Sequence, residues 1–337
     1  MNEPGDDSWS ERLRGLLLGL ALGDSYERAR GSLPRRGVIK VGVATQLAVF
    51  TADGLVRVLA SSGDQLGPGQ VAPALWNALT RWGALQGVIS AYDEVGAPVA
   101  NGWLSEVPVL SERRGSAPAT VSALRGGRPG TLEQPGSTSG GTQVVTRLLP
   151  TAAVRHLLPY EGIYSQADAE FASYAVLTHG ECSAIHSAVA TASLASSCLA
   201  GFDVREAVAA SPFCEMGSLF GAARDIAVGQ PRDSRALRAW MCDDATSAMM
   251  GGIYTAISFP EHDDAQDALD FAYRFPGGRG SATVAAALIG AVHGVHALPV
   301  EAVSRLELSW VLDQVTLDLA QHVRGLGTVS ARYPSPN

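Results

Sequence analysis

Apolar side chains recur along this chain at intervals of three and four residues, and few segments alternate apolar and polar residues. Between Thr45 and Ser61 the spacing is carried by Leu47, Phe50, Leu55, Val58 and Leu59. This is the period of an α-helix with one buried face, whereas a half-buried strand needs strict alternation. The pattern therefore predicts an all-α protein whose helices pack in a compact single domain.

Gly, Pro and polar residues separate the predicted helices, and Ser10 is expected to cap the first of them. The predicted helices cover residues 11–22, 45–61, 71–86, 104–112, 144–156, 165–177, 182–200, 204–211, 220–227, 237–254, 265–275, 281–296 and 312–322. The pair Gly251–Gly252 is expected to break one helix, because glycine weakens a helix interior.

A long segment at 113–141 is rich in Gly and Pro, which predicts a loop of the length that often carries function. One short helix is expected inside it, at 117–124. The folded domain is predicted to span 11–324, with flexible termini at 1–10 and 325–337.

Composition excludes several classes of protein. Hydrophobic residues make up 46% and charged residues 17% of the chain, so a large core is available and general disorder is excluded. The net charge of -8 argues against nucleic acid as a partner. The first ten residues are polar, and the apolar run Leu16–Leu22 is too short to cross a bilayer, so no secretory signal and no membrane partner are predicted. The widely spaced cysteines indicate buried thiols of a cytoplasmic protein.

Five short blocks carry a resemblance to one family. In chain order they are Gly23–Asp24, Thr45–Ala48, Ser139–Thr142 with the following Val145–Pro150, Thr178–Gly180, and Phe275–Gly278 with the small-residue helix after it. Together they resemble the ADP-ribosylglycohydrolase family. The resemblance implies a compact orthogonal helical bundle with a cleft for an ADP-ribosyl ligand.

The same resemblance locates a pair of magnesium ions, and there this chain departs from the family. A hydroxyl residue and two aspartates precede the family's Thr-Gln pair, but Gly42, Val43 and Ala44 stand here. The second half-site implied by the family reads Gly-Gly-Asp-x-Asp-Ser/Thr, whereas residues 277–283 read Gly-Gly-Arg-Gly-Ser-Ala-Thr. Because magnesium usually relies on carboxylate ligands, no metal ligand and no cofactor are predicted. Arg279 would place a cation near the lost metal position.

Two acidic residues are the catalytic candidates. Glu27 lies in the region where the family carries a flexible Glu near the scissile bond, so it could serve as a residual acid–base group. The alternative is an exposed loop charge paired with Arg28 or Arg30. Asp24 ends the first predicted helix, where it either braces a neighbouring loop or acts directly on a ligand.

The candidate ligand-binding residues are Thr45, Gln46, Ser139, Gly140, Gly141, Thr142, His179 and Arg279. Thr45 and Gln46 open a helix, where backbone N–H groups favour an anion, although capping explains them as well. Consecutive glycines let backbone N–H groups approach an anionic ligand, and the family uses this region for ADP-ribose; the alternative is a tight turn. His179 could bond a ribose or phosphate, or satisfy carbonyls at a helix end.

Other residues have simpler interpretations. Asp243–Asp244 and Asp263–Asp264 are predicted to be helix N-terminal charges. Trp76, Trp82 and Trp103 either pack in the core or stack on a nucleobase.

Three functions remain open. The favoured one is a binding protein for ADP-ribose or a related nucleotide that lacks magnesium-dependent hydrolysis. The second is a metal-independent enzyme acting on an N-glycosidic bond, which would need Glu27 or Asp24. The third is a structural or partner-binding protein whose cleft is closed by apolar residues such as Val43 and Ala44.

Overall fold

The structure is a computed structural model that describes residues 7–62, 66–158, 166–215, 219–275, 278–328 and 331–334. In these ranges it has sixteen α-helices, three short 3-10 helices and two isolated β-bridges, with no strand. The all-α prediction is confirmed.

The α-helices are α1 (Asp7–Arg28), α2 (Val43–Ser62), α3 (Val71–Leu85), α4 (Pro108–Ser111), α5 (Pro118–Arg125), α6 (Gln143–Leu148), α7 (Gln166–Val176), α8 (Cys182–Leu199), α9 (Val204–Ala209), α10 (Pro212–Glu215), α11 (Leu219–Gly229), α12 (Ala245–Ser258), α13 (Ala265–Ala272), α14 (Ser281–His293), α15 (Val300–Ser304) and α16 (Ser309–Val323). The 3-10 helices are Trp103–Glu106, Leu149–Leu157 and Val295–Ala297.

The centre of the bundle is an antiparallel pair, α1 and α14, held at very short distance by glycine. A β-carbon on Gly19 would overlap the backbone of Ala286, and one on Gly15 would overlap that of Gly290. Gly23 approaches Ala282 in the same way. Since 15, 19 and 23 follow the four-residue helical repeat, one glycine face of α1 lies against the small residues of α14. This register brings the last turn of α1 to the start of α14.

Helix α12 packs against α14 by the same means, and two predictions are wrong there. The segment 237–254 is not one helix, because α12 begins only at Ala245. Gly251 and Gly252 do not break α12: a β-carbon on either would collide with Ser281 or Val284 of α14. The glycines serve close helix packing, which outweighs their weak helix propensity.

The structure describes part of each terminus that the sequence predicts to be flexible. Helix α1 begins at Asp7, before the expected cap at Ser10, and Trp9 is 2% exposed. At the other end Tyr333 is 4% exposed and packs edge-on against Trp103. Residues 1–6, 329–330 and 335–337 lie outside the described part of the chain.

Burial of the apolar helices and of the cysteines only partly follows expectation. Helices α2 and α8 are long and apolar enough to cross a membrane by length and composition, yet 89% and 67% of their apolar windows are buried in the fold. Cys198 is buried as predicted, but Cys182 and Cys242 are exposed.

Candidate functional site

Asp24 lies in the last turns of α1 and binds the start of α2. Its Oδ2 accepts hydrogen bonds from the backbone N–H of Gly42 (2.8 Å), the N–H of Thr45 (2.9 Å) and the Thr45 hydroxyl (2.6 Å). Burial raises the pKa of Asp24, and these three bonds oppose the shift. A β-carbon on Gly42 would overlap the Asp24 carboxylate, so this position has no room for a hydroxyl side chain. Bracing of a neighbouring loop is the role that these contacts support.

Glu27 lies one turn further along α1 and binds the start of α14. Its Oε2 accepts from the N–H of Gly280 (2.9 Å), and its Oε1 accepts from Ala282 (3.1 Å) and Thr283 (3.2 Å). An acidic side chain is favoured here by the unpaired N–H groups and the dipole of the helix. Burial nevertheless raises the pKa of Glu27 to about 7, with a further contribution from Asp24. The exposed-loop interpretation of Glu27 is therefore wrong.

The two acids occupy adjoining places for a simple geometric reason. Residues three apart on a helix share a face, so Asp24 and Glu27 project from the same side of α1. Each binds the N-terminus of a helix at a place where the family resemblance locates half of a metal site. The contacts at both places are thus made by backbone N–H groups and carboxylates of α1.

Val43 opens α2 and is partly buried against the loop that follows α4. A β-carbon on Gly115 would lie 2.6 Å from Val43 Cγ1, which shows how closely this loop covers the side chain. Ala44 is also partly buried. Apolar side chains therefore lie beside the Asp24 carboxylate at the first half-site.

Thr45 and Gln46 are both engaged inside the protein. Thr45 donates to Asp24, which accounts for its hydroxyl. The Gln46 amide donates to the carbonyls of Val109 (3.2 Å) and Glu112 (2.9 Å), and its oxygen accepts from the Trp82 indole (3.4 Å). Their ligand-binding role stays a prediction, and these contacts give each side chain a structural use.

The glycine-rich turn Ser139–Thr142 lies before α6 and is partly exposed. The Ser139 hydroxyl accepts from the N–H of Gly141 at 3.1 Å, and the carbonyl of Gly140 accepts from Ala245 at 2.9 Å. Within the described residues the N–H groups of Gly140 and Thr142 have no protein acceptor. They are available to an anion at the surface of the turn.

His179 is 1% exposed and stands behind this turn. A methyl group on Gly141 would lie 3.7 Å from its Nε2. Its Nδ1 lies 2.8 Å from the Thr178 hydroxyl, which in turn accepts from Arg147 Nη2 at 3.0 Å. Burial, with the nearby Arg147, lowers the pKa of His179 to about 3, so the ring is neutral at physiological pH.

Arg147 is the residue that sequence reasoning missed. It is fully buried, and its Nη2 also donates to the carbonyl of Tyr174 at 2.9 Å. Its Nε and Nη1 have no partner in the described part of the chain, and burial lowers the pKa of its guanidinium to about 9. The sequence signal was a basic residue within an apolar helix. The neighbouring residues in the sequence do not show whether a carboxylate pairs with Arg147.

An open cleft of about 440 Å³ lies at the start of α14. Its lining residues are Glu27, Asp243, Tyr273, Phe275, Gly278 and Arg279. Arg279 is 74% exposed and lies 3.5 Å from Asp243 at the rim. The largely exposed guanidinium is thus paired with Asp243 at the cleft, and its replacement of a metal charge stays a prediction. Pro276 and Gly277 lie outside the described residues.

Most of the predicted site residues are brought together. Thr142 touches Gly280, because a β-carbon on Gly280 would lie 3.4 Å from the Thr142 β-carbon. The glycine-rich turn, the start of α14 and the cleft are therefore contiguous, with His179 beneath the turn. Gln46 does not belong to this group of residues, because its amide donates to carbonyls in and after α4.

The remaining acidic and aromatic residues have structural partners. Asp244 caps α12 by accepting from Ser247 at 2.8 Å, and Asp264 precedes α13 and pairs with Arg232 at 2.9 Å. Trp82 is buried, which favours the core role predicted for it as one alternative.

No metal-binding cluster is present in the described part of the chain, where no three His, Cys, Asp or Glu residues are grouped suitably. A dinuclear magnesium site needs several oxygen ligands in near-octahedral order. The sequence positions that correspond to the family's metal ligands carry Gly42, Val43, Ala44, Arg279, Gly280 and Ser281.

Comparisons with known proteins agree with this architecture. The sequence model of the ADP-ribosylglycohydrolase family matches residues 5–329. No curated protein matches the chain. A solved structure described as "ADP-ribosylglycohydrolase-related protein complex" aligns with a TM-score of 0.58 and 19% identity, over 94% of this chain and 99% of that one, which supports the fold. Since the family match extends over nearly all of the sequence, this protein belongs to the ADP-ribosylglycohydrolase family.

Proposed function

We propose that this protein binds ADP-ribose or a related nucleotide and does not carry out the magnesium-dependent hydrolysis implied by the family. The observation that carries the proposal is the pair of acids on α1. Asp24 and Glu27 bind the N-termini of α2 and α14 through backbone N–H groups, at both places where the resemblance locates metal ligands.

The donor set argues against a dinuclear magnesium centre. Both carboxylates that remain near the implied site already accept three hydrogen bonds each. Turning either toward a metal would leave buried N–H groups unpaired, at about 1–3 kcal/mol for each group. No step through a metal is derived for this chain.

The glycine-rich turn supports the binding half of the proposal. Family membership gives the ligand class, and the free N–H groups of Gly140 and Thr142 give a place for an anionic part of it. The neighbouring cleft beside Glu27 offers room for the rest of the ligand. A nucleotide could therefore lie across the turn and the start of α14.

Calorimetry with ADP-ribose, in EDTA and then in magnesium, tests this function. We expect the same affinity in both buffers. Gly140→Val should weaken binding about tenfold by covering the turn, as expected from the loss of one or two hydrogen bonds. A β-carbon on Gly140 would approach only Glu181, at 3.5 Å, and the melting temperature of the variant checks that the fold is kept.

The matched control is Gly229→Val, because Gly229 ends α11 with no atom near its β-position. This variant should bind like the unaltered protein. Absence of binding at millimolar ADP-ribose would contradict the proposal and favour a protein whose cleft is filled. A rise in melting temperature with magnesium alone would contradict the metal-independent part.

A metal-independent enzyme is the second candidate, favoured by the Glu27 carboxyl. A pKa of about 7 suits a group that donates and accepts protons near neutral pH, and Glu27 lines the cleft. Cleavage of an N-glycosidic ADP-ribosyl bond in EDTA, abolished by Glu27→Gln, would establish it. Equal turnover by Glu27→Gln would reject this role for Glu27.

A further inference from the structure

Behind the glycine-rich turn lies a buried chain of hydrogen bonds that runs from Arg147 through Thr178 to His179. Arg147 Nη2 and the Thr178 hydroxyl are 3.0 Å apart, and the hydroxyl is 2.8 Å from His179 Nδ1. All three side chains are at most 1% exposed. These hydrogen bonds are therefore shielded from bulk solvent.

The donors and acceptors in this chain admit one consistent arrangement. A guanidinium only donates, so the Thr178 oxygen must accept from Arg147. The Thr178 proton then needs an acceptor, and among the described residues only His179 Nδ1 lies within reach. Since Nδ1 accepts, the proton of the neutral imidazole is on Nε2. If Nδ1 donated instead, the buried Thr178 proton would have no partner.

The other ring nitrogen faces the turn. A methyl group on Gly141 would lie 3.7 Å from His179 Nε2, and no protein acceptor among the described residues bonds this atom. Nε2 therefore lies beside the turn in which the N–H groups of Gly140 and Thr142 have no acceptor among the described residues.

We propose that Arg147 and Thr178 are positioning residues that fix His179 as the Nε2–H tautomer, so that the ring donates to a phosphate or hydroxyl oxygen of the ligand at the glycine-rich turn. The ligand part of this inference rests on the proposed function, whereas the tautomer does not. Among the described residues the Nε and Nη1 of Arg147 have no partner, so no described carboxylate pairs with them. Its charge therefore adds a positive field behind the same anion position.

Nitrogen-15 NMR of the histidine rings, in the ligand-free protein, tests the tautomer. The His179 signals are assigned as those lost in His179→Gln. We expect a protonated Nε2 and an Nδ1 shifted by an accepted hydrogen bond. Thr178→Val should abolish that Nδ1 shift, and Thr178→Ser should restore it. Arg147→Met should raise the Nδ1–H population, because the Thr178 oxygen, no longer bonded by Arg147, can then accept from Nδ1–H.

Calorimetry with ADP-ribose tests the positioning role with the same variants. Thr178→Val should bind about tenfold more weakly, the effect of one misdirected hydrogen bond, and Thr178→Ser should recover the affinity. A protonated Nδ1 in the unaltered protein, an unchanged Nδ1 signal in Thr178→Val, or unchanged affinity despite a moved signal would overturn the inference. If the unaltered protein shows the Nε2–H form but binds no ADP-ribose, the proposed function fails and the tautomer assignment stands.

Discussion

At the scale of single residues, the sequence identifies Asp24 and Glu27 but not what they bind. The first predicted helix ended at Leu22, and only the extension of α1 to Arg28 in the structure places the two acids, three residues apart, on one helix face. The partner of Glu27, the N–H of Gly280, lies 253 residues away, and no local pattern reports such a pairing. The two roles considered for Glu27, acid–base group and loop charge, both left out the start of α14. The role of Asp24 was easier to predict, since bracing of a neighbouring loop follows from its place at the end of a predicted helix.

Glu27 should make stability depend on pH in one direction. Its pKa is about 7 in the folded state and near 4.5 when unfolded, so the folded state holds the proton more tightly. The free energy of unfolding should therefore fall as pH rises from 4.5 to 7, by up to about 3 kcal/mol. Glu27→Gln should lack this component, which denaturant titrations at several pH values would measure. If the free energy of unfolding changed with pH in the same way in Glu27→Gln and in the unaltered protein, the shifted pKa of Glu27 would be contradicted.

Gly42→Ala should destabilise the fold through Asp24. The new methyl group would overlap the Asp24 carboxylate and displace it from the N–H groups of Gly42 and Thr45. A loss of about 2 kcal/mol is expected, because buried donors lose their acceptor. Chemical denaturation measures it, with Gly67→Ala as the control, since a methyl group there meets only Gln70 at 3.4 Å. Equal losses for both variants would mean that the carboxylate moves aside freely.

At the scale of helices, the apolar periodicity of the sequence predicts most of the helices. Helix packing explains the predictions that were wrong. The expected break at Gly251–Gly252 does not occur, because those glycines face Ser281 and Val284 across a close helix pair. A sequence rule weighs a glycine by the entropy of the isolated helix, whereas the fold uses it to bring two backbones together. The Gly15, Gly19 and Gly23 repeat has the same meaning, and it fixes the register that brings Glu27 to α14.

Gly19→Ala tests this packing at its centre. The methyl group would overlap the Ala286 carbonyl, and a backbone cannot move aside as a flexible side chain can. We expect α1 and α14 to separate, with a loss of about 3 kcal/mol and weaker capping by Glu27. Thermal and chemical unfolding report the loss. Gly229→Ala is the matched control because its β-position is empty, and a similar melting temperature for both variants would contradict the close approach.

At the scale of the whole molecule, the C-terminal tail packs against the core through contacts that sequence composition does not reveal. A Pro-rich end predicts fraying, yet the described part of the tail, 331–334, binds the core. The reason lies in a buried cluster where Arg57 and Arg81 share the single carboxylate of Asp53, at 2.8 and 2.6 Å. Two cations with one anion leave guanidinium N–H groups in need of acceptors. Composition shows neither this imbalance nor where the tail returns.

Deleting residues 332–337 should therefore destabilise the core. Arg57 would lose the Pro334 carbonyl that it binds at 2.8 Å, and Trp103 would lose the buried ring of Tyr333. Loss of a buried aromatic side chain predicts about 3 kcal/mol, measured as the free energy of unfolding. Tyr333→Phe separates the contributions, because it keeps the ring and removes only the 2.6 Å bond to Asp318, at about 1 kcal/mol. If the truncated and full-length proteins had the same free energy of unfolding, the tail would not be part of the core.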